Sequence, residues 1–177
     1  MNRRDFLRCA RFIPLAVIAL PACAVSPESA ALTGATLTLN TAITVDAHRA
    51  TAYIQGGRVT PPPELDRYHA HCVIELRQVR DVARRIEPDR FTVSRVRTDV
   101  YHAGAAGPYL AALKVGADAT PGYMMWTTEL YLRSDRQPDV LRLSCQHLED
   151  PASLPRHVTI AEMRKALGEI ATLETGP

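Results

Sequence analysis

The sequence predicts a mainly β fold, a sandwich or partly closed barrel of antiparallel strands with one C-terminal α-helix. Three observations carry this. Between Thr36 and Cys145, short segments rich in Val, Ile, Leu, Thr and Tyr alternate apolar with polar residues at period two. Turn residues separate them, at Gly56-Gly57, at Pro61-Pro62-Pro63 and at Ser134 to Pro138. A helix start signal, Thr159-Ile160-Ala161-Glu162, precedes an apolar pattern at helical spacing near the end.

In chain order, Thr36 to Asn40 reads as the first strand, and Ile43 and Val45 as a short extended piece. Ala50 to Gln55 is the next strand, and Gly56-Gly57 turns it. The three prolines cannot join a central strand, so Arg58 to Arg67 reads as a surface connection. Tyr68 to Arg77 places Cys72, Ile74 and Leu76 on one face and Val73, Glu75 and Arg77 on the other, a half-buried strand. Val79 to Pro88 fits a short helix or a strand equally. Phe91 to Arg97 alternates with a slip from Val93 to Val96, the mark of a bulge.

Tyr101 to Pro121 carries three glycines and two prolines and reads as a long loop, with room for one short element at Tyr109 to Val115. Tyr123 to Arg133 and Val140 to Cys145, joined by Ser134 to Pro138, make the clearest hairpin. Leu141, Leu143 and Cys145 share one face. The capping box then opens a helix whose apolar face is Ile160, Met163, Leu167, Ile170 and Ala171, and the chain is expected to fray near Gly176.

Ahead of this lies a different kind of segment. Arg3, Arg4, Arg8 and Arg11 precede the apolar run Phe12 to Leu20. A spanning helix needs roughly 20 apolar residues, so the run is too short for a permanent anchor and has the pattern of a secretory signal peptide. Leu20-Pro21-Ala22-Cys23 resembles a bacterial lipobox, through Leu20, Ala22 and Cys23. That resemblance implies cleavage before Cys23 and a diacylglycerol on its thiol. At about 0.8 kcal/mol per buried CH₂, several acyl chains hold a protein on a bilayer. Arg3-Arg4-Asp5-Phe6-Leu7-Arg8 is also similar to the twin-arginine export motif.

The organisation expected is therefore a signal over residues 1–22, a lipidated cysteine and flexible tether over 23–34, and one β-rich domain over 35–175. Residues 1–22 hold four of the 21 Lys+Arg and one of the 19 Asp+Glu, which leaves 17 basic and 18 acidic residues. Such a balance gives no clustered basic face and no reason to expect a nucleic-acid partner.

Cys9 leaves with the signal and Cys23 takes the lipid. Cys72 and Cys145 remain, an even pair in an oxidising compartment, and a disulfide between them is expected. Closing so long a loop is worth about 4 kcal/mol in the chain-entropy picture. Both cysteines fall on inner faces. His69 and His71 beside Cys72, with His147 beside Cys145, form the one constellation with metal-ligand character, for Zn or Cu. Strand parity sets His69 and His71 opposite the cysteines, so one site using all five residues would need a bulge, and the oxidising compartment favours a structural disulfide with exposed histidines beside it. Glu129, Glu149 and Asp150 are isolated carboxylates, and Ser144-Cys145-Gln146-His147 is no nucleophile motif. No Gly-rich phosphate loop is present. Met124-Met125-Trp126 reads as core or edge packing.

The chain resembles uncharacterised bacterial envelope lipoproteins of similar size. The likeness rests on the lipobox, the early Leu37-Thr38-Leu39 strand, Tyr68, His71, Cys72 and Glu75, and Leu143-Ser144-Cys145-Gln146. It implies a protein anchored to the membrane through its lipid, facing the periplasm from the outer rather than the inner membrane, beside other envelope proteins. A non-enzymatic binding or assembly module is the function expected. A periplasmic Zn or Cu protein using His69, His71 and His147 is the alternative, and no other cofactor is expected.

Overall fold

The computed structural model describes residues 27–102, 124–149 and 156–176. The segment expected to be a signal, Cys23, most of the expected Tyr101–Pro121 loop and Asp150 lie outside the described residues. The alternating segments assemble into one antiparallel sheet of eight strands, curled into a half-barrel rather than split into two stacked layers. The strands are β1 (Thr36–Leu39), β3 (Thr51–Gln55), β4 (Arg58–Val59), β5 (His71–Leu76), β7 (Asp89–His102), β8 (Met124–Arg133), β9 (Val140–Glu149) and β10 (Ala171–Glu174). Their order is β10-β1-β7-β8-β9-β5-β3-β4. A separate ribbon pairs β2 (Ile43–Val45) with β6 (Arg84–Ile86).

Period two decides what is inside. Leu37, Leu39, Ile54, Ile74, Phe91, Val93, Leu130, Leu132 and Leu143 are all buried and share the inner face. The slip seen in the sequence is a bulge: Val93 pairs with Leu132 and Arg95 with Tyr131, which leaves Ser94 between them. It turns Val96 to the core side.

Helix α2 (Ile160–Leu167) lies against β3, β5 and β10 with Met163, Ala166 and Leu167 buried. Its capping box forms as the sequence requires: the Glu162 amide donates to Thr159 Oγ1 at 3.3 Å and the Thr159 amide donates to Glu162 Oε2 at 2.9 Å. The helix stops earlier than expected. Gly168, at φ 55° and ψ −132°, ends it, and Ile170 reaches the core from the turn and Ala171 from the start of β10 instead. An apolar pair at 170–171 satisfies both periods, so only the glycine marks the change.

Three further expectations are corrected. Pro27–Leu32, read as tether, is a helix, α1, opened by a proline and an early Glu28. Leu32 is buried, which fixes it to the core. The Gly176 amide donates to Ala31 O at 3.1 Å, so the last described residues are pinned rather than frayed. β5 is buried on both faces, not one, because Pro62, Leu65 and Arg67 stand beside His71 on the outer side. The surface connection itself contains β4 and a 3₁₀ turn at Pro62–Glu64.

Asp89 organises the β8–β9 turn. It accepts from Ser134 Oγ at 2.6 Å and from Gln137 Nε2 at 3.2 Å, with Arg136 at 3.3 Å. Burial alone would raise its carboxyl, but the hydrogen bonds from Ser134 and Gln137 outweigh burial and hold it below the usual carboxylate range. No described helix is long and apolar enough to cross a membrane.

Candidate functional site

Cys72 and Cys145 face each other directly across β5 and β9 and form a disulfide, with Cα atoms 4.0 Å apart. Both are fully buried on the inner face. Neighbouring strands, not two layers, bring them together.

The histidines do not converge. His69 is exposed and its Nδ1 lies 2.8 Å from Asp66 Oδ2. The expectation of exposed histidines holds for His69 but not for the other two: His71, on the outer face, has 1 % of its surface exposed because Pro62, Leu65 and Arg67 stand beside it, and His147 is also buried. The His71 Nδ1 donates to His69 O at 3.0 Å, and its Nε2 accepts from Gln146 Nε2 at 3.2 Å. Gln146 Oε1 in turn accepts from Thr127 Oγ1 at 3.1 Å. That chain fixes the tautomer, and burial pushes the His71 imidazole below its usual value. His147 falls on the parity of Cys145 and bonds Arg156 O through Nε2 at 3.0 Å. His71 and His147 thus sit on opposite faces of the sheet. Among the described residues no three His, Cys, Asp or Glu side chains group as metal ligands.

The polar chemistry gathers elsewhere, on the outer face of the central strands. Registers across five strands set the rows. One row runs Tyr53, Val73, Ser144, Glu129, Arg97; the next runs Thr51, Glu75, Arg142, Tyr131, Arg95. The outer face of a half-barrel ordinarily meets water. Here Thr127, Glu129, Ser144 and Val73 are all at least nine-tenths buried.

Arg142 ties the rows together. Its Nε donates to Glu75 Oε2 at 2.6 Å and its Nη1 to Glu129 Oε1 at 2.7 Å. Tyr131 donates its hydroxyl to Glu129 Oε2 at 3.1 Å, and the Arg95 guanidinium lies 3.8 Å over the Tyr131 ring. Burial opposes the Arg142 charge, but the two carboxylates outweigh it and raise the guanidinium further above its ordinary value. Beside them Asp99 and Arg97 pair at 2.6 Å. Burial, then the Glu129 and Asp99 charges, push the Tyr101 hydroxyl up.

The small Ser144 lies in the middle of these large side chains and leaves a dip. The recess is about 220 Å³, with Tyr53, Tyr101, Glu75, Glu129 and Arg142 around Ser144 and Val73. The Ser144 side chain makes no hydrogen bond among the described residues and has no imidazole beside it to act as base. Both carboxylates are held by Arg142. The arrangement presents fixed polar groups around an open recess.

Glu129 was visible in the sequence only as an isolated carboxylate. Glu75 and Arg142 were missed as a pair. Opposite charges on the same parity of two strands were the available signal, and the register needed to join them was not. Compared with known proteins, the chain matches no family model, no curated protein and no solved structure.

Proposed function

We propose that the protein is a bacterial envelope lipoprotein, held on the membrane through lipidated Cys23 and facing the periplasm, that acts by binding. The observation that carries this is the oxidised Cys72–Cys145 pair, downstream of the Leu20-Pro21-Ala22-Cys23 address. A disulfide in a small protein belongs to an oxidising compartment, and the address names a route to one. The recess around Ser144 supports binding rather than catalysis, because Arg142 engages both carboxylates and the serine has no base beside it among the described residues.

Metabolic labelling with a palmitate analogue tests the anchor. The wild-type protein takes up label and fractionates with membranes, and Cys23→Ala loses both. An unlabelled wild type, or equal label in Cys23→Ala, overturns the reading.

A further inference from the structure

A second recess, of about 400 Å³, opens between β6 and the β8–β9 turn. Its floor is apolar, formed by the buried Leu76, Ile86 and Val140. Three arginines, Arg84, Arg85 and Arg136, stand around it, and Asp139 is the acidic residue of its lining.

The charges sort by partner. Arg85 pairs with Glu87 at 3.0 Å and Arg136 with Asp89 at 3.3 Å. Asp139 is taken by Arg80 at 3.8 Å. Arg84 is left with no carboxylate among the described residues. Its Nη2 donates to Gln78 O, while its Nη1 is buried without a hydrogen-bond partner among the described residues. A buried guanidinium donor without an acceptor is rare in folded proteins, and a bound anion is one recognised explanation.

We propose that this recess binds a phosphate group, with Arg84 as the principal contact and Arg85 and Arg136 at its rim. Guanidinium forks match phosphate oxygens, and a tetrahedral group offers oxygens to donors arriving from separate elements. The apolar floor suits a phosphate ester rather than the bare ion. The phosphate belongs either to a lipid headgroup or to a soluble ester. The site shares no lining residue with the Ser144 recess and does not depend on the anchor.

The test is calorimetric titration of the purified, disulfide-intact protein with inorganic phosphate, against chloride at matched ionic strength. The expected result is saturable one-to-one binding with Kd about 1 mM, weakened about tenfold in Arg84→Gln. Arg136 is exposed at the rim, so Arg136→Gln leaves folding intact and weakens binding by a smaller factor. Arg58→Gln, on exposed β4, binds as wild type. Tighter binding of dihexanoyl phosphatidic acid than of glycerol 3-phosphate assigns the lipid source, and equal binding assigns the soluble ester. No saturable phosphate binding, wild-type binding by both Arg84→Gln and Arg136→Gln, or an equal loss in Arg58→Gln overturns the site.

Discussion

Gly57 and Gly168 meet backbone to backbone: a Cβ placed on Gly168 would lie 2.4 Å from the Gly57 Cα. The Gly57 amide also donates to Ala166 O at 3.0 Å. This contact joins the β3–β4 turn, near one edge of the sheet, to the end of α2, which leads into β10 at the other edge. The helix thereby holds the two edges of the half-barrel together from the inside.

Gly168→Ala is therefore expected to lose about 3 kcal/mol of stability, from a φ of 55° that side chains rarely adopt and from the clash. Gly57→Ala, whose Cβ would stand 3.3 Å from Gly168, loses about 1 kcal/mol. Urea unfolding of the two variants measures this. An unchanged Gly168→Ala midpoint rejects the edge-closing contact.

The disulfide joins residues separated by 73 in sequence. In the chain-entropy picture its loss removes up to about 4 kcal/mol. Cys72→Ala/Cys145→Ala should unfold at lower urea than the wild type, and reductant should move the wild type towards the variant. Two free thiols at these positions in native protein, found by thiol titration, would contradict the bond.

Strand positions were legible because each strand buries one face against the core, and that is what period two records. Where this failed, burial was of another kind. β5 is buried on both sides by a connection whose path the local pattern does not encode. β6 hides its alternation in Arg84-Arg85, with Ile86 as its one fully buried residue. α1 has too few residues for a helical period to register. The disulfide was legible from compartment and parity together. The Ser144 recess was not, because its members meet through registers joining positions as distant as Glu75 and Arg142, separated by 67 in sequence.

Removing Arg142 strands a buried charge. Glu129 has 4 % of its side chain exposed and Arg142 as its cation. Breaking such a pair from one side costs about 3 kcal/mol, more than the pair itself contributes. Arg142→Leu should show that loss, and Glu129→Gln/Arg142→Leu should recover part of it. A double-mutant cycle by urea unfolding decides. An Arg142→Leu effect below about 0.5 kcal/mol would place Glu129 in water instead.

Acid should weaken the fold in two separate windows. Burial holds His71 and His157 below their ordinary 6.5, so the unfolded chain binds protons that the folded one refuses. Stability from this source is complete above 6.5 and falls as pH drops below it. Glu162 is held at about 2 against an ordinary 4.5, because Arg156 donates to it, at 2.7 Å from Nη1, and Thr159 adds further hydrogen bonds against the opposing effect of burial. Its contribution is complete above 4.5 and is lost between 4.5 and about 2. Urea midpoints followed from neutral to acid pH should therefore fall in two steps. His71→Gln removes part of the first step and spares the second. Glu162→Gln shrinks the second step without abolishing it, because Asp89 also gives up its stabilisation in acid. It spares the first, and lowers stability at neutral pH by up to about 1 kcal/mol through loss of the Arg156 ion pair, since Gln can still serve the capping box. A first step that His71→Gln leaves at full size would mean that His71 takes up its proton within the folded protein.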